Sequence, residues 1–244
     1  MIRSCARSSS DAVSSVVAMI MVLAVLAVAL PLAISNFVPY YVKSSEMQRY
    51  AEAEDSFFKI VEFYPSSGRL RLQLGEQTPF GFVAATSLKA ESTGMVEVHA
   101  ACDGGNVNLK CNISSLKLRM LGRAIPNRTL IFSEGGIAVE QAETRVVLSE
   151  PQIELNYSDS LTVAVDCLKD ERGISGSGSA IVDIAISTER MEYENCTGWI
   201  YVNDSIFQDY WIKAIQSTGL FSGSTLSFSN LNLSLRVRWM DMRV

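Results

Sequence analysis

Three patterns of hydrophobic and polar positions follow one another along the chain. Val13 to Ile34 is an unbroken run without a charged residue, and as a helix it is long enough to cross a hydrocarbon core of about 30 Å. From Lys43 to Glu62 the pattern turns amphipathic. Met47, Tyr50, Ala51, Phe57, Phe58 and Val61 recur at helical spacings, while Glu46, Arg49, Glu52, Asp55 and Lys59 fill the other faces. This predicts a helical stalk over 37–64 whose apolar stripe docks on the chain's own outer domain, the favoured reading, or on neighbouring subunits. Pro31 and Pro39 fall where the helix is expected to kink or break, and Pro65-Ser66-Ser67-Gly68 ends it.

From Arg69 onward the period becomes two. Arg69 to Leu74, Met95 to His99, Leu116 to Leu121, Leu161 to Val165 and Ile181 to Ile186 alternate. In the longest case Leu231, Leu233, Leu235, Val237 and Trp239 share one face. Turn signals separate these runs: Gly75, Ser92-Thr93-Gly94, Gly104-Gly105, Gly135-Gly136, Gly219 and Gly223. The segment Gly173 to Ser179 reads as a flexible surface loop, because it lacks the lysine and following helix that a phosphate loop needs. One helix interrupts the strands, with Ser205 as N-cap, Ile206, Tyr210, Trp211, Ala214 and Ile215 as its stripe, and Gly219 at its end. The expected fold class is mainly β with a long N-terminal α-helix. An antiparallel β-sandwich-like outer domain with one short helix sits on a transmembrane helix and stalk. The expected segments are a leader (1–12), a transmembrane helix (13–36), the stalk (37–64) and an extracytoplasmic β-rich domain (65–244).

Charge and cysteine change this picture in three ways. The net charge is −5 with no basic block after the apolar run, which argues against a nucleic-acid partner. Arg3 and Arg7 precede the run, whereas Lys43 and Arg49 beyond it are surrounded by Glu46, Glu52, Glu54 and Asp55. The positive-inside rule then gives a cytoplasmic N-terminus and an extracellular C-terminal domain in the cell membrane. Asn-x-Ser/Thr sites at Asn112, Asn127, Asn156, Asn195, Asn203 and Asn232 take six of the ten asparagines. They are candidate N-glycosylation sites, with serine richness as the alternative source of such matches. Cys5 lies in the leader, and Cys102, Cys111, Cys167 and Cys196 lie in the outer part. An even set outside the cell implies two disulfides, for which the expected pairing is Cys102–Cys111 and Cys167–Cys196.

Asp11-Ala12-Val13-Ser14-Ser15-Val16-Val17 ahead of a long apolar helix resembles the N-terminus of archaeal type IV prepilins, whose pattern reads roughly Ala-Val-Ser-Pro-Val-Ile-Gly. Ser15 stands where that family usually has proline, Ala18 where glycine is common, and Asp11 where a basic residue precedes the small one. The resemblance implies cleavage between Ala12 and Val13 by a prepilin peptidase. It further implies membrane lipid and other pilin-like subunits as partners of the freed helix. The stations Leu70 to Gly75, Glu134 to Gln141 and Ser175 to Asp183 are similar to those of uncharacterised β-rich pilin-like membrane proteins, which extends the likeness to architecture.

No catalytic constellation emerges. His99 is the only histidine and lies in an alternating strand. No Cys-x-x-Cys pair points to zinc, and no Gly-x-Ser-x-Gly elbow points to a hydrolase. Glu189, Glu192 and Glu194 beside Arg190 read as a solvated face. Tyr193, Trp199, Tyr201 and Tyr210 read as sheet packing or as an aromatic binding patch. The expectation is a non-enzymatic, pilin-like single-pass envelope protein without cofactor or metal, a minor filament subunit or an adhesion component. The alternatives are an uncleaved signal-anchored protein whose β domain binds a ligand, and a membrane-tethered hydrolase with a cleft at His99 or the Glu189 to Glu194 group.

Overall fold

The computed structural model describes residues 6–77, 83–176, 178–222 and 225–243. Arg3, Cys5, Ser177 and Gly223, named above, lie outside the described residues. The elements are α1 (Ala6–Phe63), β1 (Gly68–Gln77), β2 (Val83–Cys102), β3 (Gly105–Leu121), β4 (Arg128–Ser133), β5 (Gly136–Gln141) and β6 (Thr144–Ser149). They continue as β7 (Leu155–Tyr157), β8 (Ser160–Leu168), β9 (Arg172–Gly176), β10 (Gly178–Asn203), α2 (Gln208–Ser217), β11 (Phe221–Ser222) and β12 (Thr225–Arg243). The chain is therefore mainly β with one long N-terminal helix and one short helix, as its patterning predicts. It divides into two compact units, Met1–Ser45 and Glu46–Val244, and the boundary falls inside the predicted stalk.

Pro31 and Pro39 both lie inside α1 rather than ending it. The nearby Ser35 hydroxyl and Asn36 amide donate back to the Leu32 carbonyl at 2.9 Å each, so their polar groups are satisfied within the helix. In the second unit the helix stripe differs from the expected one. Tyr50, Ala53, Phe57, Ile60 and the following Tyr64 are buried, while Met47 and Ala51 face solvent. Alternating steps of three and four keep the buried set on one face. Glu46, expected on a polar face, is buried too. Its carboxylate accepts from the backbone N–H groups of Arg123, Ala124 and Ile125 at 2.7, 2.9 and 3.1 Å. This ties the β3–β4 loop to the helix. A Cβ on Gly122 would come within 2.8 Å of the Tyr50 hydroxyl and 3.0 Å of the Glu46 carboxylate, so the loop closes here only around glycine.

Among the described residues, twelve strands form one sheet in the order β6-β5-β4-β3-β2-β1-β10-β12-β8-β7, with β9 on β2 and β11 on β12. Most neighbours are antiparallel, but β8 and β12 pair in parallel from Ser160–Asn232 to Leu168–Met240. Further pairings of β2 with β10 and of β3 with β8 fold the sheet back so that its faces confront each other. Two cores result. Leu70, Leu72, Leu88, Leu116, Leu118, Phe132, Val182, Ile184 and Met242 meet the α1 stripe. Val96, Val98, Ile113, Val163, Val165, Ile200, Leu226, Leu233 and Leu235 meet Trp211 and Ile215 of α2.

The four long strands serve both cores with opposite faces. On β3, even positions (Leu116, Leu118, Met120) face α1, and odd ones (Val107, Cys111, Ile113) face the second core. On β2 both sets are even because a bulge between Ser92 and Met95 inserts one residue against β3. On β10 the irregularity between Tyr193 and Cys196 does the same. An extra residue flips every later side chain to the other face. Ser92-Thr93-Gly94 is thus a bulge within a strand rather than the expected turn. Of the expected loop Gly173 to Ser179, Gly173 to Gly176 lie instead in β9, paired with β2, and Gly178 and Ser179 begin β10.

All four outer cysteines are bridged, with a pairing different from the expected one: Cys102–Cys196 and Cys111–Cys167. The β2–β3 register explains the difference. Cys111 lies opposite Val96 and Cys102 opposite Gly105. At about 3.3 Å per residue, the two cysteines of that hairpin are far out of reach of each other. The bridges instead join strands distant in sequence, by 94 and 56 residues. Cys111–Cys167 sits beside the single β3–β8 pairing, Ile113–Cys167, and staples the second core shut there. Peptide mapping without reduction is expected to recover these two pairs. Cys111→Ser with Cys167→Ser is expected to lower unfolding stability by about 3–5 kcal/mol. Recovery of a Cys102–Cys111 peptide would contradict the register.

Candidate functional site

The first unit, Met1–Ser45, contains the uncharged run of α1. Val16, Met19, Ile20, Leu23, Leu26, Leu30 and Ile34 are all at least half exposed, and Phe37 reaches 72%. No polar stripe interrupts this surface, so the helix is apolar on every side, the pattern of a segment meant for lipid or for other helices. Its length and composition suffice to cross a membrane. Ala18, Ala24, Ala27, Ala29 and Ala33 interleave with the large residues. Ala12 and Val13, the expected cleavage pair, lie within the backbone range of α1.

Within the second unit, the end of α1 meets a seam of buried polar groups. Tyr64 donates its hydroxyl hydrogen to Asp166 Oδ2 at 2.6 Å and accepts from Arg238 Nη1. The Arg238 guanidinium also lies 5.2 Å from the Tyr64 ring centre, places Nε 3.2 Å from Asp166 Oδ1 and donates from Nη2 to Glu154 at 3.0 Å. Arg236 takes the other oxygen of Glu154 at 2.7 Å. Asp166 and Arg238 face each other in the parallel β8–β12 register, and Arg238 is only 3% exposed. Burial raises the Tyr64 phenol strongly, and the Asp166 carboxylate nearby adds to this.

Glu134 forms the second half of the seam. It sits at the β4–β5 turn with a positive φ of 51°, followed by Gly135 at 76°. Its carboxylate accepts from Ser205 Oγ at 2.7 Å and from the Trp211 indole N–H. Ser205, expected as the helix N-cap, instead accepts from the Phe207 N–H at 3.1 Å while donating to Glu134, and α2 starts at Gln208. Burial pushes the Glu134 carboxyl up to about 7, opposed by these two hydrogen bonds and assisted by the charge of Asp166. The seam was not read from the sequence. Its signal was charge inside apolar runs: Asp166 within Leu161 to Leu168, and Glu134 within Leu130 to Val139.

The other sequence-singled residues lie apart from this seam. His99 stacks on Trp199, its register partner on β10, with ring centres 4.3 Å apart. Glu192 pairs with Arg190 at 2.9 Å with both side chains exposed. Among the described residues no group of three His, Cys, Asp or Glu side chains is arranged to hold a metal ion. Of the aromatic group, Trp199 and Tyr201 share a face of β10, while Tyr210 packs edge-on against Phe207 at 6.0 Å. Tyr193 is partly buried against the second core. Asn112, Asn127, Asn156, Asn195 and Asn232 are exposed, and Asn203 is half-buried with its amide on Asp204 at 2.7 Å. Asn195 and Asn232 are neighbours, the Asn195 backbone N–H donating to Asn232 Oδ1 at 3.2 Å. Asn203 shares its acceptor motif with Ser205, whose hydroxyl is held by Glu134.

Compared with protein-family models, with curated proteins and with solved structures, the chain matches none.

The Glu134 environment has a pH signature. The folded chain holds the Glu134 proton up to about pH 7, whereas the ordinary value is 4.5. Between these values the unfolded chain binds fewer protons, so this contribution to stability is full at low pH and is lost as pH rises through the window. The expected loss is on the order of 3 kcal/mol, read from urea midpoints at about pH 5 and about pH 8. Glu134→Gln is expected to flatten that fall. An equal fall in the variant would assign the titration to another group.

Proposed function

We propose that this chain is a pilin-like, single-pass envelope protein without enzymatic activity. In this reading the leader 1–12 stays cytoplasmic, Val13 to Ile34 lies in the membrane, and the β domain faces the outside. A prepilin peptidase cuts between Ala12 and Val13, and the freed helix packs against the helices of other pilin-like subunits. The observation that carries the reading is one continuous helix with two characters. Its first part is apolar on every side, and its last turns form the core of a disulfide-stapled β domain. Both lipid and a bundle of helices are apolar, so transfer between them involves little hydrophobic free energy. Association then rests on close packing, which the alanines at 18, 24, 27, 29 and 33 favour.

Two further observations support an outside domain. The two disulfides suit an oxidising compartment. Five exposed acceptor asparagines suit a surface that carries N-glycans. The size of the β domain suits a minor subunit or an adhesion component better than a tightly packed major subunit.

Intact mass and N-terminal peptide mapping of the protein purified from its native membrane test the proposal. A mature chain that starts at Val13 is expected. A chain that starts at Met1 with the helix intact would overturn processing and leave a signal-anchored β-domain protein.

A further inference from the structure

The outward face of the second core's strands carries side chains that nothing above employs. Trp199 on β10, His99 on β2 and Asn108 on β3 form one row in register, and Thr197, Ala101 and Asn106 form the next row on the same face. Trp199 remains 36% exposed, in contrast to Trp211 at 2%. His99 stacks beneath it with a tilt of 33°. Asn106 and Asn108 are exposed, and their side-chain amides hydrogen-bond no other described residue. Together these residues line a shallow depression open to solvent.

The face is built rather than incidental. A Cβ on Gly198 would lie 2.1 Å from the His99 carbonyl oxygen, so glycine lets β10 come close to β2 at this point. The Cys102–Cys196 disulfide joins the neighbours of the Ala101–Thr197 pair and fixes the two strands immediately behind the depression. Groups held on bridged strands keep their spacing without a ligand, which lowers the ordering cost of binding. At the far end of the face Glu97 and Lys110 neutralise each other at 2.7 Å.

We propose that this face is a binding site for a neutral carbohydrate. The solvent-exposed part of the Trp199 indole, backed by His99 on one side, is electron-rich over its ring and attracts the slightly positive C–H groups on one side of a pyranose ring. The side-chain amides of Asn106 and Asn108 offer both donors and acceptors, and the Thr197 hydroxyl, which accepts from the Asn230 N–H at 3.3 Å, offers its hydrogen, which matches the alternating hydroxyls of a sugar. The paired charge at Glu97 and Lys110 leaves no net field to select a polyanion. The depression is too open to enclose a compact apolar ligand, which needs a concave pocket. The proposal rests on the β domain alone and holds for a processed or an unprocessed chain.

Isothermal titration of the unglycosylated full-length chain in detergent tests it. The probes are neutral hexaoses of glucose, mannose and galactose, with dextran sulfate as the charged comparison. Binding of at least one neutral hexaose is expected. Trp199→Ala should weaken that binding tenfold or more, and Trp199→Phe should retain most of it. Asn108→Ala, an exposed change with little effect on folding, should weaken it about threefold or more. Binding unchanged in Trp199→Ala and Asn108→Ala, binding of dextran sulfate alone, or no binding across the panel would each overturn the proposal.

Discussion

The structure of the β domain depends on burying the last turns of α1. Tyr50, Ala53, Phe57, Ile60 and Tyr64 present one face to strands β1 to β5, β10 and β12, and Phe57 and Ile60 are fully enclosed. Each such large apolar side chain contributes about 1.5–3 kcal/mol on burial. Polar contacts then fix how the stripe sits. Tyr50 donates to the Met120 carbonyl at 3.1 Å, Glu46 clamps the β3–β4 loop, and Arg128 reaches Glu54 at 2.9 Å. The uncharged run precedes these turns within the backbone range of α1.

A sheet that serves two cores must change faces along its strands. β3 does this with even positions in one core and odd positions in the other, and in β2 and β10 one inserted residue brings both sets onto even positions. Where the two regimes meet, the backbone direction alone cannot supply apolar cover, and the chain places charge there. Asp166, Arg238, Tyr64 and Glu154 pair with one another at the end of α1, with Asp166 Oδ1 and Arg238 Nε held by charge rather than by a hydrogen bond, and Glu134 links the β4–β5 turn to α2 through Ser205 and Trp211. Removing one member leaves its partners buried without a counterpart, so such seams specify an arrangement more than they add stability.

The alternating runs marked the strands, because period two is a local property of the residues themselves. Leu70 to Leu74 and Leu233 to Val237 lie in strands as their pattern requires. The helix stripe is legible in part: Tyr50 and Phe57 are buried and Phe58 and Val61 pack partly buried against the same core, but Met47 and Ala51 face solvent, since phase is set by the sheet that receives the helix. Pro31 and Pro39 did not end α1, a helical context overriding a local preference. Disulfide pairing and the Ser92-Thr93-Gly94 bulge depend on register between distant strands, which no local spacing encodes. The sequence marks single members of the seam (charge inside apolar runs) and of the outer face (Trp199 and His99), but not which of them meet. Their members come from different strands, and only their rows in the sheet bring them together.

Amide hydrogen exchange on the full-length chain in detergent, resolved by residue along α1, tests most directly whether the helix end is the core of the domain. Amides from Tyr50 to Phe63 should exchange only through global unfolding, at the same free energy as the central residues of β10 and β12. Exchange of that segment well ahead of β10 and β12, with the sheet still protected, would contradict a domain organised around the helix.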